Sequence, residues 1–345
     1  MGKRIHIVDT TMRDGSHAVA HSFTAAQVKE VAAGLDNCGV EFIELSHGDG
    51  ISGSTYNYGF SAVSELELLR VASSVLKRAK LTVLLLPGIG TVEDIKAAVE
   101  CGAKVVRIAT HPTEADISQQ HITAAKNMGL MTIGWLMMAH MASPEKIAEQ
   151  AKMMESYGAD YINLADSAGY LLPDDVRQRV EAAVGAVNIP VGFHAHNNLS
   201  LAIANSLVAV ESGATYIDAT LRGLGAGAGN AQLEVLAGIL QRQGYETGLD
   251  FYGLMDLAEN VLEPMMHRPQ IIKTAPLMLG YAGVYSSFLL HVYRAAEKFA
   301  IEPRDILVEL GRRRMVGGQE DMIIDVAYQL AQAQKNSNKT DVRTA

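Results

Sequence analysis

Cysteine is nearly absent: Cys38 and Cys101 are the two in 345 residues. A scaffold stapled by disulfides is thereby excluded, and a reducing cytoplasm is the expected setting. Basic runs are also missing, and 29 Lys and Arg against 38 Asp and Glu leave a net charge of −9. Electrostatic binding to nucleic acid or to an anionic membrane is therefore not expected. No apolar run is long enough to span a bilayer; those at Leu81 to Pro87 and Met131 to Ala142 are too short. Asp9 and Asp14 come too early for a secretory leader. His6 stands where a myristoylation signal wants Ser or Thr. What is plentiful is core material: 48% of residues are hydrophobic and 19% charged, which excludes global disorder.

A weak repeat runs through the first 240 or so residues. A glycine closes a helical pattern and a β-type apolar run follows, as at Cys38-Gly39, Cys101-Gly102, Met128-Gly129, Tyr157-Gly158 and Ser212-Gly213. Glycine suits the position because the residue after a helix often needs a positive φ. Ile5 to Val8, Leu81 to Leu86 and Val191 to Ala195 supply the remaining strands, making eight. Helix starts are marked by Thr24 to Gln27, by Thr91, and by Ser143 before Pro144. Eight βα units of about 30 residues predict an α/β fold, a (β/α)8 TIM barrel. The rival, a doubly wound open sheet, would carry a glycine-rich loop after its first strand, where Asp9-Thr-Thr-Met-Arg-Asp-Gly15 stands instead. The rhythm stops near Tyr245. Residues 1–262 are expected to form the barrel and 263–345 a helical domain with turns at Pro264, Pro269, Pro276 and Pro303 and a polar tail fraying from Lys335.

Active sites of such barrels lie at the C-terminal strand ends. There His194-Ala-His196 is the sharpest signal, because residues i and i+2 of a strand share a face and two imidazoles so placed can hold one divalent cation. Asp14, at the end of the first strand, offers a carboxylate; the alternative is a pair of hydrogen-bonded core histidines. Arg13 can hold a carboxylate or steady an enolate, or it is a surface partner of Asp14. His17 and His21 are candidate general bases or supporting groups. The run Gly223 to Asn230 does not fit a dinucleotide fingerprint, and reads either as a backbone that approaches a ligand or as a flexible loop. No lysine lies at a C-terminal strand end, so Schiff-base chemistry is excluded and carbon–carbon bond chemistry would need a metal. Cys38 and Cys101 precede strands at the other end of the barrel and read as small buried hydrophobes.

Asp9 to Gly15 and His194-Ala-His-Asn197 together resemble the strand-one and strand-seven signatures of the hydroxymethylglutaryl-CoA-lyase-like superfamily of metal-dependent barrels. Within it, Arg13 to His21, Glu44-Leu-Ser-His-Gly-Asp-Gly50 and the helical C-terminus resemble the 4-hydroxy-2-oxovalerate aldolase family of class II pyruvate aldolases, over about Ile5 to Gln334. The resemblance implies cleavage of 4-hydroxy-2-oxovalerate, and of the 4-hydroxy-2-oxohexanoate homologue, to pyruvate and an aldehyde in meta-cleavage catabolism of aromatics or sterols. It implies Mn2+ held by Asp14, His194 and His196, and Arg13 on the enolate. It further implies His17 as the base toward the C4 hydroxyl, Tyr285 as the residue placing substrate and His17, Leu84 on the aldehyde methyl and Ser167 on the pyruvate carboxylate. The implied partner is an acylating acetaldehyde dehydrogenase docked on the helical domain, which itself carries the NAD and CoA sites.

Two rivals remain at this level. A Claisen-type acyl-CoA synthase or lyase shares both strand signatures, although the lyase branch would place a cysteine within Gly223 to Asn230, where there is none. A non-catalytic scaffold for the dehydrogenase would have no use for Arg13, Asp14, His17, His194 and His196 together.

Overall fold

The computed structural model describes residues 2–316 and 319–341. Eight parallel strands close into a barrel in sequence order. They are β1 (His6–Met12), β2 (Phe42–Leu45), β3 (Lys80–Leu85), β4 (Val105–Thr110), β5 (Met131–Leu136), β6 (Tyr161–Asp166), β7 (Val191–Ala195) and β8 (Tyr216–Ala219). Closure pairs His6 with Tyr216 and Asp9 with Ala219. The α/β barrel read from the glycine period is therefore the fold observed. Gly39, Gly102, Gly129, Gly158 and Gly213 all hold φ between +79° and +110°, the conformation that a side chain resists. Thr24 and Thr91 close capping boxes, and Ser143 accepts from the Lys146 N–H ahead of Pro144.

Apolar residues on the outer strand faces and the helix stripes form one core running from Ile5 to Leu262. Inside the barrel, Val8, Phe42, Val105, Ile133 and Tyr161 fill the lower end. Leu84, Ala109, Trp135 and Ala165 form an apolar group nearer the C-terminal strand ends. Between these groups the inward positions carry charge, at Glu44 on β2, Arg107 on β4 and Asp218 on β8, each buried.

The C-terminal helices Thr274–Ala282, Leu289–Phe299, Pro303–Arg312 and Met322–Asp341 enclose a second core, from Leu279 to Ala331. This region is tied to the barrel mouth. His140 Nε2 donates to the Gly283 carbonyl at 3.0 Å, and the Ser286 hydroxyl donates to the Ser167 carbonyl at 3.2 Å. Two details depart from expectation. Pro264, Pro276 and Pro303 lie in the first turn of helical segments rather than in turns between helices, where a missing N–H is no loss. The last helix continues to Asp341 instead of fraying at Lys335, since no glycine or proline interrupts it, and residues 342–345 lie outside the described residues. Among the described residues no helix is long and apolar enough to cross a membrane.

Candidate active site

The register of β1 against β2 shifts between Asp9 and Met12, and the chain then turns sharply. The N–H groups of Arg13 and Asp14 both donate to the Thr10 carbonyl, at 3.1 and 2.9 Å. This turn aims the Asp14 carboxylate across the barrel mouth toward β7. Its Oδ2 lies 3.2 Å from His194 Nε2 and 3.2 Å from His196 Nε2, and all three residues are buried.

The contacts behind His194 fix its tautomer. Its Nδ1 lies 2.9 Å from Asp218 Oδ2, and a carboxylate accepts only, so Nδ1 carries the proton. Nε2 then presents a lone pair to an oxygen of Asp14, and that oxygen accepts no hydrogen bond although it is buried. Two lone pairs facing each other at this distance repel unless a proton or a cation lies between them. Burial alone would lower the His194 pKa, but Asp14 and Asp218 outweigh it and raise it, so a proton taken up at Nε2 holds the place that a cation would fill. Burial alone would raise the Asp14 pKa, but His196, Arg13 and His194 outweigh it and hold the carboxyl well below its ordinary range, so it is an anion near neutral pH. Two imidazole nitrogens and one carboxylate, their donor atoms within 4.8 Å of one another, suit a divalent cation with positions left open for a ligand.

These ligands belong to a closed ring of buried charges. Arg13 Nη1 stands 3.4 Å from Asp14, and Arg13 Nε donates to Glu44 Oε2 at 2.8 Å. Glu44 Oε1 lies 3.4 Å from Arg107 Nη1, and Arg107 Nη2 donates to Asp218 at 2.6 Å. Asp218 leads back to His194. The guanidinium of Arg107 also stacks 3.7 Å from the centroid of the Trp135 ring. With His194 neutral, the ring holds three carboxylates and two guanidinium groups, an excess of one negative charge that a cation would balance.

Eight of the site residues expected from the sequence line a single cavity, Arg13, Asp14, His17, Leu84, Ser167, His194, His196 and Tyr285, while His21, the other candidate base, lines the adjoining cleft. Arg13 Nη2 is buried there without a hydrogen-bond partner, so it is a donor free to meet a ligand. The Ser167 hydroxyl accepts from the Met138 N–H at 3.1 Å and keeps its own proton for donation. Leu84 packs with Ala109, Trp135 and Ala165. The Tyr285 hydroxyl reaches in from the C-terminal region, 3.9 Å from Met137 Sδ. His17 stands on Gly48, where a Cβ would come within 2.4 Å of its ring, so only glycine leaves the imidazole its place. Burial lowers the His17 pKa from 6.5 to about 4; Asp14 opposes the shift and Arg13 adds to it, so the ring is neutral near pH 7.

Two further polar residues at strand ends, Arg222 after β8 and His111 after β4, point elsewhere. Arg222 adopts a φ of +54° and pairs with Glu263. His111 bonds Thr113 at 2.8 Å. Cys38 and Cys101 are buried, unpaired thiols at the C-terminal ends of two outer helices, away from the mouth. The glycine run does approach the site: Ala226 lines the cavity, and its N–H points to Asp14 Oδ1 at 3.4 Å. Sequence reasoning missed Arg107, Asp218 and Asp49. The signal available for the first two was a charge at an inward register position of a short apolar strand.

Comparison with known proteins places these features. An HMGL-like family model matches residues 4–261, and a DmpG-like communication domain model matches residues 270–332. The chain is 69% identical over 330 residues to a protein of Moorella thermoacetica named 4-hydroxy-2-oxovalerate aldolase, covering 96% of this chain and 98% of that one. It is 61% identical over 335 residues to a protein of Carboxydothermus hydrogenoformans with the same name, covering 97% and 100%. In fold it is similar to the carboxyl transferase domain of Rhizobium etli pyruvate carboxylase, with a TM-score of 0.80 at 16% identity, over 96% of this chain and 60% of that one.

Proposed function

The chain belongs to the HMGL-like family, and from that premise we propose that it is a divalent-cation-dependent aldolase that cleaves 4-hydroxy-2-oxovalerate to pyruvate and acetaldehyde. The observation that carries this reading is the pairing of the Asp14, His194 and His196 donor set with a neutral His17 and an unpartnered Arg13 N–H group in one cavity. Retro-aldol cleavage needs those two functions side by side: a base for the β-hydroxyl, and positive charge for the enolate that departs.

A divalent cation held by Asp14, His194 and His196, proposed as Mn2+, would supply Lewis acidity toward the 2-oxo acid. In this reading each of the protein's own groups has a role. Ser167 donates its hydroxyl proton to the substrate carboxylate. Arg13 directs Nη2 at the C2 oxygen and stabilises the negative charge that grows there. His17 takes the proton of the C4 hydroxyl, the C3–C4 bond breaks, and its electron pair passes into the pyruvate enolate as the aldehyde carbonyl forms. Protonation at C3 completes pyruvate. Tyr285 orients the substrate and the His17 ring, and Leu84 packs against the methyl of the aldehyde.

We further place the division between the barrel and the helical domain at 262/263. The match of residues 270–332 to a communication domain supports docking of an acylating acetaldehyde dehydrogenase there. Exposed Leu277, Tyr281, Leu290 and Tyr293 give that region an apolar surface suited to a partner. Use of 4-hydroxy-2-oxohexanoate and a place in meta-cleavage catabolism belong to the same proposal. The two unpaired thiols support a cytoplasmic setting.

The test is an assay of the Mn2+-loaded protein on two substrate pairs. Equal release of pyruvate and acetaldehyde from 4-hydroxy-2-oxovalerate, with no thiol release from acetyl-CoA and a 2-oxo acid, is the expected result. Thiol release without aldehyde would replace this reading with a Claisen-type one.

A further inference from the structure

A second set of donors stands beside the first. One donor atom each from His17, His21 and Asp49 lies within 4.8 Å of the other two. The proposed reaction uses His17 alone of these and leaves the trio as a trio unexplained. All three line a wide cleft between the barrel mouth and the C-terminal helices, while His17 and Asp49 also line the cavity of the proposed active site. The cluster therefore lies where the cleft meets that cavity, and an ion from solvent can reach it.

Each member is held ready to coordinate. Asp49 is 5% exposed, and neither of its carboxylate oxygens accepts a hydrogen bond among the described residues. His47 is no partner for it, for a reason the tautomer supplies. The Asp49 N–H donates to His47 Nδ1 at 3.1 Å, so that nitrogen is a lone pair, and His47 Nε2–H donates to the Gly59 carbonyl at 3.1 Å. The 3.6 Å approach of His47 Nδ1 to Asp49 Oδ2 is therefore no hydrogen bond. A largely buried carboxylate at the edge of an open cleft is placed to meet a cation from solvent.

His21 is aimed by its surroundings. Ala20 and His21 both hold positive φ, +51° and +55°, a conformation that non-glycine residues rarely keep in succession. The imidazole stacks on His47 at 3.7 Å between centroids. Its Nδ1 meets the Ser16 hydroxyl at 3.0 Å, and that hydroxyl spends its own proton on the Arg13 carbonyl at 2.7 Å. With that proton so placed Ser16 can accept from His21 Nδ1, and the Tyr58 backbone, which also hydrogen-bonds the ring, is the neighbour a cation would displace.

We propose that His17, His21 and Asp49 form a second divalent-cation site, and that its occupancy switches the enzyme off. Two imidazole nitrogens and one carboxylate suit a borderline cation, Zn2+ above the hard ions. The switch rests on the proposed function: a cation that takes the His17 lone pair removes the base that the C4 hydroxyl needs. The cation site itself does not depend on that role.

Zn2+ titrated into chelator-stripped full-length protein tests both parts, with bound metal counted after equilibrium dialysis. Wild type is expected to bind two equivalents, and the His194→Ala and His21→Ala variants one each. Asp49→Asn, of equal size, is expected to match His21→Ala and guards against a loss that merely reflects misfolding. The second equivalent should depress wild-type turnover by about 100-fold or more, the scale of a lost general base, and leave His21→Ala turnover unaffected. One equivalent in wild type, or two in both His21→Ala and Asp49→Asn, overturns the site. Two equivalents with turnover intact overturns the switch and the role of His17 as base, while the cation site stands.

Discussion

His194 is gripped from both sides by carboxylates: Asp218 Oδ2 lies 2.9 Å from Nδ1 and Asp14 Oδ2 lies 3.2 Å from Nε2. Asp218 fixes which nitrogen carries the proton, and thereby which one faces the open side of the barrel. The same oxygen of Asp218 accepts from Arg107 at 2.6 Å, so one anion serves two partners.

Asparagine at 218 would offer no anion to either partner. Asp218→Asn should weaken divalent-cation affinity by about 10- to 100-fold, the usual cost of disturbing a group that orients a metal-ligating histidine. Its melting temperature should also fall, because Arg107, 0% exposed, would keep Glu44 as its sole carboxylate partner within the charge ring. Equilibrium dialysis against Mn2+ measures the first effect and calorimetry the second. Unchanged affinity would sever Asp218 from the metal site.

Arg13 and His194 share the cavity but should fail differently. His194→Ala should lose cation and turnover together. Arg13→Ala should keep the cation and lose the exchange of pyruvate methyl protons with solvent, because that exchange passes through the enolate. Proton NMR of pyruvate in D2O follows the exchange, and metal analysis of the same samples follows the ion. Exchange at the wild-type rate in Arg13→Ala would remove Arg13 from the enolate role.

The barrel was legible because it is built by repetition. Five glycines that need a positive φ follow five helices, and the short strands between them are largely apolar. The strand-end residues were legible for the same reason: once a strand is placed, the residue beyond it lies at the mouth, so His194, His196 and Asp14 could be brought together before any coordinates. Arg107, Asp218 and Asp49 were not legible. Their roles depend on distances across the barrel, such as the 2.6 Å from β4 to β8, and strands that lie 111 residues apart carry no local mark of facing each other. Pro276 misled for a local reason, since a proline in the first helical turn has the same neighbours in sequence as one in a turn.

Burial of His17 sets the acid limb of activity. A base must be neutral to work, and with a pKa lowered from 6.5 to about 4 the ring stays neutral well below pH 6. In cation-saturated enzyme kcat/KM should be flat between about pH 8 and about pH 6 and fall only toward the lower value. The part of the stability that His17 contributes should move in the same direction. The unfolded chain binds the proton near pH 6.5 and the folded one near 4, so the His17 contribution falls as pH drops through that window, while Asp9, Asp166 and Asp49, raised by burial to about 7, 7 and 6, contribute in the opposite sense. His21 and His140, also lowered to about 4 by burial, add to the same loss. A pH–rate profile checks the first statement and the difference in melting temperature between wild type and His17→Gln across that range checks the second; an acid limb centred near 6.5 would deny His17 its place as the buried base.

Leu84 offers a test of chain-length preference. It is 4% exposed, packed with Ala109, Trp135 and Ala165, and it lines the cavity near Met137 and Tyr285. If it meets the aldehyde methyl, shortening it makes room for one more methylene of substrate. Leu84→Ala should then raise the ratio of kcat/KM for 4-hydroxy-2-oxohexanoate over 4-hydroxy-2-oxovalerate by about tenfold, within the range that a single methylene commands in an apolar pocket. The change should fall in the ratio and leave cation affinity alone, because Leu84 offers no donor to a cation. Steady-state kinetics on both substrates gives the ratio, and a ratio equal to that of wild type would place the aldehyde end of the substrate against another wall of the cavity.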